Sequence, residues 1–195
     1  YRREREDMTQ PPEWEECILM RFPVFSVPAG KTALEISLPR LIAGDRLLAE
    51  DVRLTVKGRE RVCIVGRNGC GKSSLLRIAA QAGKERHAFY MPQDYDEVLR
   101  PGMTALTYLE TQGGGAEREH IAACLGCMRF TREEMERDVA ALSGGQRAKL
   151  LLTKANLTGA QVLILDEPSR NFSPLSAGAV ADELARFSGA ILFVS

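Results

Sequence analysis

The sequence predicts an α/β fold: a mainly parallel sheet flanked by helices, preceded by an antiparallel β subdomain and interrupted by a short helical insert. Three observations predict it. From residue 61 onward, short apolar runs alternate with helical patterns, an order that yields a doubly wound parallel sheet. Upstream, "TALEISL" and the second half of "RLLAEDVRLTV" alternate apolar with polar residues, as strands of an antiparallel sheet do. Between residues 94 and 141 the period turns helical.

The elements follow in order. Residues 1–16 ("YRRERED", then "QPPEWEE") are dense in charge and broken at Pro11 and Pro12. They read as a helical tail or linker, with Trp14 docking on the body, and the chain is expected to be a piece of something longer. The body is expected to span residues 17–195, strand-like from Cys17 to Val56. "RVCIVG" (Arg61 to Gly66) is a short apolar, β-branched run, the mark of a buried parallel strand. It enters a glycine-rich turn and then the helix "KSSLLRIAAQA"; "HAFYM" is the next strand. "MTALTYLET", "EREHIAACLGCM" and "TREEMERDVAAL" each read as a helix, the first two separated by Gly113 to Gly115. Thr131 with Glu134 fits a capping box. This insert is expected to occupy about residues 94–145. A helix from Gly144, the strand "QVLILD", the helix "LSAGAVADELARF" and the strand "AILFVS" complete the pattern.

Composition narrows the function classes. The chain has 195 residues, 45% hydrophobic and 27% charged, enough for one compact domain with a sizeable core. With 26 basic and 26 acidic residues the formal net charge is zero, which argues against nucleic-acid binding through bulk charge and leaves a local basic patch open. Of the five cysteines, Cys124 and Cys127 form C-x-x-C in a helix, and neither His87 nor His120 has the spacing to complete a metal site. They read as reduced thiols of a cytoplasmic protein. The sequon Asn156-Leu157-Thr158 lies in a helical pattern with no signal peptide in view. No apolar run reaches the ~20 residues of a membrane span, so a membrane would matter only through a partner.

The turn between "RVCIVG" and the next helix is "GRNGCGKS" (Gly66 to Ser73), which satisfies G-x-x-x-x-G-K-[ST] with the strand before and the helix after that a phosphate loop requires. Gly66, Gly69 and Gly71 let the backbone curl so that its N–H groups converge on oxyanions. The helix start adds partial positive charge. Lys72 supplies a mobile ammonium for β and γ phosphates, and Ser73 a hydroxyl for Mg²⁺. Arg67, Asn68, Cys70 and Ser74 complete the candidate nucleotide-binding stretch. Strand "VLILD" delivers Asp166 to its carboxyl end, where ligands of such sheets sit, placing it to meet the magnesium shell opposite Ser73. Glu167, one residue on, is the candidate general base. A third signal is "LSGGQ": Ser143, Gly144, Gly145 and Gln146 make a helix start attractive to anions.

With the phosphate loop, then Gln93 in "YMPQ", a helical insert, "LSGGQ" and "LILDEP" in that order, the chain from roughly Leu34 onward resembles the ATP-binding cassette (ABC) nucleotide-binding domain, a P-loop NTPase. The resemblance implies MgATP as cofactor. It also implies that Gln93 joins Ser73 and Asp166 at Mg²⁺ and links the attacking water to the insert, and that Lys72, Gln93 and Glu167 serve hydrolysis. Two such domains would pair head to tail, Ser143, Gly144 and Gly145 of one facing the γ phosphate held by the other. An insert of this size would carry those residues away from their own loop.

The branch is read from three details: the short insert, the lengthened turn "DEPSRNFSPLS", and the charged tail running into the first strands. Together they resemble the second cassette of ABC-F proteins, which act on the translating ribosome, some conferring antibiotic resistance. The implied partners are a second cassette, in the same chain or in a homodimer, and the ribosome or tRNA. The alternatives are a transporter cassette with a transmembrane subunit and a non-catalytic regulatory module. Three departures stand out. "RLIAGDRLL" has no aromatic ring to stack on adenine, so Ile42, Phe22 or Phe25 would cover the base. Ser176 stands where the family has an aspartate. The chain stops at "ILFVS", one residue short of the family's switch histidine, and neither His87 nor His120 replaces it; this stretch alone is expected to bind ATP and hydrolyse it poorly.

Overall fold

A computed structural model describes residues 27–168, 170–172 and 174–195, without the side chains of 174–176. The charged tail, Trp14, Cys17, Phe22, Phe25 and the Ser176 side chain lie outside the described residues.

Strands β1 (Thr32–Ala43) and β2 (Arg46–Lys57) form an antiparallel hairpin closed at Gly44 and Asp45, with Gly44 in the left-handed region at φ 59°. The alternation seen in the sequence sends Leu34, Ile36 and Val56 inward. The register slips between Leu41 and Ile42, and a slip of one residue exchanges the faces of a strand. Beyond it Ile42 and its partner Leu47 lie in the open, 53% and 48% exposed.

Strands β3 (Arg61–Ile64), β4 (Ala88–Met91), β5 (Val162–Asp166) and β6 (Ala190–Val194) form a parallel sheet in the order β3-β6-β5-β4. All of β5 is buried, and alternate residues feed two cores. Val162 and Ile164 join Leu192, Val194, Leu76 and Leu34 on the side of the hairpin. Leu163 and Leu165 join Ile191 and the helical insert on the other. Strand β3 departs from expectation: it is a half-exposed edge strand, paired with β6 alone among the described residues. Its apolar run serves one face, where Val62 and Ile64 pack, while Arg61 and Cys63 face outward. Arg61 uses that position to donate to the Gly189 carbonyl at 2.7 Å and to that of Phe187.

Helix α1 (Lys72–Ala82) matches its predicted span. The insert holds α2 (Ala105–Gln112), α3 (Arg118–Cys127) and α4 (Arg132–Met135), and Thr131 with Glu134 makes the predicted capping box. "TREEMERDVAAL" is not one helix. It breaks after α4 and resumes as a 3₁₀ turn at Val139–Ala141, because Asp138 bonds elsewhere. Its carboxylate accepts from Gly102 N–H at 2.7 Å and Ala140 N–H at 2.8 Å, tying this segment to the start of α2. Helices α5 (Gly144–Leu157) and α6 (Pro174–Arg186) follow. Cys124 and Cys127 are free thiols, and no cluster of His, Cys, Asp or Glu among the described residues could hold a metal ion. Burial raises the Cys124 pKa, with Cys127 adding to the effect. No helix among the described residues is long and apolar enough to cross a membrane.

Candidate functional site

The glycine-rich turn joins the edge strand β3 to α1. Gly69 at φ 76° and Gly71 at φ 100° give it its curl. Gly71 is the N-cap of α1 and offers no side-chain acceptor, so the helix's first N–H groups keep no side-chain cap and are open to an anion. The hairpin backs the turn: a Cβ at Gly71 would lie 2.4 Å from Leu48 Cδ1. Lys72 Nζ donates to the carbonyls of Gly66 at 2.8 Å and Arg67 at 3.2 Å, so the ammonium lies folded across the turn on two neutral acceptors. Arg67, Asn68 and Cys70 are exposed, and Ser73 and Ser74 sit half-buried in the first turn of α1.

Across β6, where Val194 pairs with both Ile64 of β3 and Asp166, β5 ends in Asp166, only 2% exposed. Glu167 then takes φ 48°, a left-handed step that is uncommon for a residue with a side chain. Its N–H remains tied to the Val194 carbonyl at 3.2 Å. The parallel register places Met91 opposite Leu165, so Gln93 and Glu167 each stand two residues past the same rung. Gln93 Nε2 donates to Glu167 Oε2 at 2.7 Å. Arg170 lies 3.8 Å from the same oxygen, an exposed and weak pair. Burial, with Asp166 adding to it, raises the pKa of Tyr90 on β4.

The third motif occupies another element. Ser143 caps α5: its hydroxyl accepts from Gln146 N–H at 3.3 Å, and Gln146 Oε1 accepts from Ser143 N–H at 2.8 Å. Gln146 Nε2 donates to Glu134 at 2.5 Å. The Ser143 oxygen accepts in this cap, which leaves its O–H available to donate to an anion. Gly144 and Gly145 pack on Asn171, in the turn after Glu167. No hydrogen bond among the described residues joins Ser143, Gly144, Gly145 or Gln146 to the 66–74 turn. Four residues of this region escape sequence reasoning: Tyr95, Asp96, Arg147 and Asn171. The one available signal was position, just after Gln93, "LSGGQ" and the acidic pair.

The donor set fits a magnesium–nucleotide ligand. Ser73 hydroxyl, Asp166 carboxylate and Gln93 amide oxygen are hard oxygen donors with a single carboxylate among them. Mg²⁺ is ordinarily held by one or two carboxylates together with substrate phosphates, not by an all-protein cage.

Fold and site define a P-loop NTPase of the cassette type. Residues 49–88 and 83–170 match the ABC transporter family, and the chain belongs to that family as an ATP-binding domain. It is 25% identical over 203 residues to ABC transporter F family member 5 of Arabidopsis thaliana, covering 98% of this chain and 29% of that protein. It is 30% identical over 179 residues to the energy-dependent translational throttle protein EttA of Escherichia coli, covering 85% of this chain and 32% of that one. The chain thus spans less than a third of these relatives' length. Its fold is shared with a dimeric ATP-binding cassette in a post-hydrolysis state bound to ADP and Pi (TM-score 0.67, 18% identity, covering 85% of this chain and 87% of that one).

Proposed function

We propose that the chain is the ATP-binding and ATP-hydrolysing cassette of an ABC-F protein of the cytoplasm, one that pairs head to tail with a second cassette around MgATP and acts on the translating ribosome. The observation that carries the ATPase reading is the bond from Gln93 to Glu167 beside buried Asp166, at the carboxyl end of β5. The ABC-F reading rests on the relatives and on the lengthened turn "DEPSRNFSPLS".

Ser73, Asp166 and Gln93 would hold Mg²⁺, which supplies charge neutralisation at the phosphates. Lys72 can exchange two neutral carbonyls for phosphate oxygens, a gain in charge-assisted bonding. The glycine turn and the uncapped start of α1 supply N–H donors at no cost in side-chain entropy. Gln93 fixes one oxygen of the Glu167 carboxylate and so the plane in which the other can take a proton from water. Exposed Ile42 and Leu47, next in sequence to the Leu41 and Leu48 that face Gly71, would offer an aliphatic surface for the base where the family's aromatic ring is missing.

The test uses the intact protein. MgATP binding, ATPase turnover and co-sedimentation with ribosomes are expected together. Turnover with co-purification of a transmembrane subunit would favour the transporter reading. Tight ATP binding without turnover would favour a regulatory module.

A further inference from the structure

Just past Gln93, the 3₁₀ turn Tyr95–Glu97 touches three other elements. Glu97 pairs with Arg77 of α1 at 2.5 Å. Asp96 is ion-paired with Arg147 of α5. Tyr95, almost wholly buried, lies beside the side chain of Asn171, which partly offsets the rise that burial gives its pKa. Asn171 in turn closes on the tip of α5: its Oδ1 would lie 3.1 Å from a Cβ at Gly144, and its carbonyl oxygen 3.2 Å from one at Gly145. The two glycines are what allow this approach. Two routes therefore run from the Gln93–Glu167 pair to the helix tip, one through Asp96 and Arg147, the other through Tyr95 and Asn171.

The energetics of these contacts are unlike those of a structural staple. The Asp96 side chain is 71% exposed, so its pair with Arg147 adds little to stability. The Arg147 side chain is only 17% exposed, and its Nε is buried without a hydrogen-bond partner. A guanidinium committed to that extent has one place to put its charge, and Asp96 fixes where that is. A weakly stabilising contact that holds a half-buried cation in one orientation is suited to setting position.

We propose that Asp96, Arg147, Tyr95 and Asn171 are positioning residues for hydrolysis: together they hold the tip of α5 and the Gln93–Glu167 pair in one relative placement. This rests on the reading of the site as an ATPase and goes beyond it by assigning the link between its two halves. In a head-to-tail pair, the tip of each cassette serves its partner's nucleotide. The same brace then makes each hydrolytic pair sense whether its own tip is docked.

The test compares Asp96→Asn, Asp96→Glu and Arg147→Gln in the intact protein. Displacements near 1 Å at a reacting centre cost up to about a hundredfold in rate, so Asp96→Asn and Arg147→Gln should each lower kcat about tenfold. ATP affinity should stay within about twofold and the urea midpoint should not move. Asp96→Glu, which keeps the charge, should retain most of the rate. The double variant Asp96→Asn with Arg147→Gln should be no slower than either single one, as for residues acting as a unit. Parental kcat in Asp96→Asn, or equal loss in Asp96→Glu, would overturn the proposal. A parent that binds and hydrolyses no ATP would instead overturn the functional reading beneath it.

Discussion

Replacing Glu167 by Gln separates chemistry from structure at this site. Gln is nearly isosteric and its amide oxygen can still accept from Gln93 Nε2. What is lost is charge. A bond to a charged acceptor contributes about 1.5–3 kcal/mol and a neutral one about 0.5–1.5 kcal/mol, so the link to Gln93 weakens by about 1 kcal/mol. The Arg170 pair, at 3.8 Å with that side chain 60% exposed, adds almost nothing to the loss. The left-handed backbone at φ 48° strains Glu and Gln alike, so it contributes no difference. Fold stability should therefore fall by no more than about 1 kcal/mol. Hydrolysis, deprived of the proposed general base, should fall about 10²- to 10⁴-fold, which is roughly 2.7–5.5 kcal/mol in the barrier. The assays are phosphate release under saturating MgATP, nucleotide affinity by equilibrium binding, urea unfolding, and light scattering to follow the paired state. Affinity should be unchanged and the ATP-bound pair should accumulate. Turnover within about twofold of the parent would refute the role of Glu167. A collapse in stability would show that its carboxylate is structural.

Other perturbations read other parts of the account. Gly71→Ala, at φ 100° and facing Leu48, should cost about 1–3 kcal/mol, chiefly in backbone strain because the Leu48 tip can swing aside. Gly69→Ala, at φ 76° with open space around it, should cost about 1–2 kcal/mol. Urea unfolding measures both, and a neutral Gly71→Ala would contradict the geometry of the turn. Leu125→Ala, in the core of the helical insert, should cost about 2–5 kcal/mol by the same method, and a loss under about 1 kcal/mol would mean that α3 is not packed as described. Burial pushes the Tyr108 hydroxyl from an ordinary 10.0 up to about 12, and Lys154 Nζ donates to it at 3.2 Å. Between those values the folded chain holds a proton that the unfolded chain has lost. The contribution is complete below pH 10 and is lost as pH rises toward 12. Tyr108→Phe should flatten that alkaline limb in stability measured against pH, and an unchanged limb would refute the assignment.

Much of this was legible in the sequence, for identifiable reasons. The glycine turn, α1 and β5 are local: a short apolar run, a glycine spacing and a helical period each dictate their own conformation, and α1 falls on its predicted span. The capping box at Thr131 is equally local. What failed to show were consequences of the third dimension. The apolar run of β3 reads as buried, yet among the described residues the strand lies at the sheet edge, because sheet order is set by crossovers and not by hydropathy. The helix read through "TREEMERDVAAL" is cut by Asp138 bonding to a residue 36 positions away. The contacts of Asp96 with Arg147 and of Tyr95 with Asn171 join segments 51 and 76 residues apart, beyond any periodicity.

The central claim is that the turn at Gly66 to Ser73 holds MgATP through Lys72. The most direct measurement is an equilibrium MgATP titration of the intact protein beside its Lys72→Ala variant. The account predicts saturable binding in the parent and an affinity about ten- to a hundredfold weaker in the variant, the equivalent of roughly 1.5–3 kcal/mol of charge-assisted bonding. Equal affinity in the two proteins would contradict it.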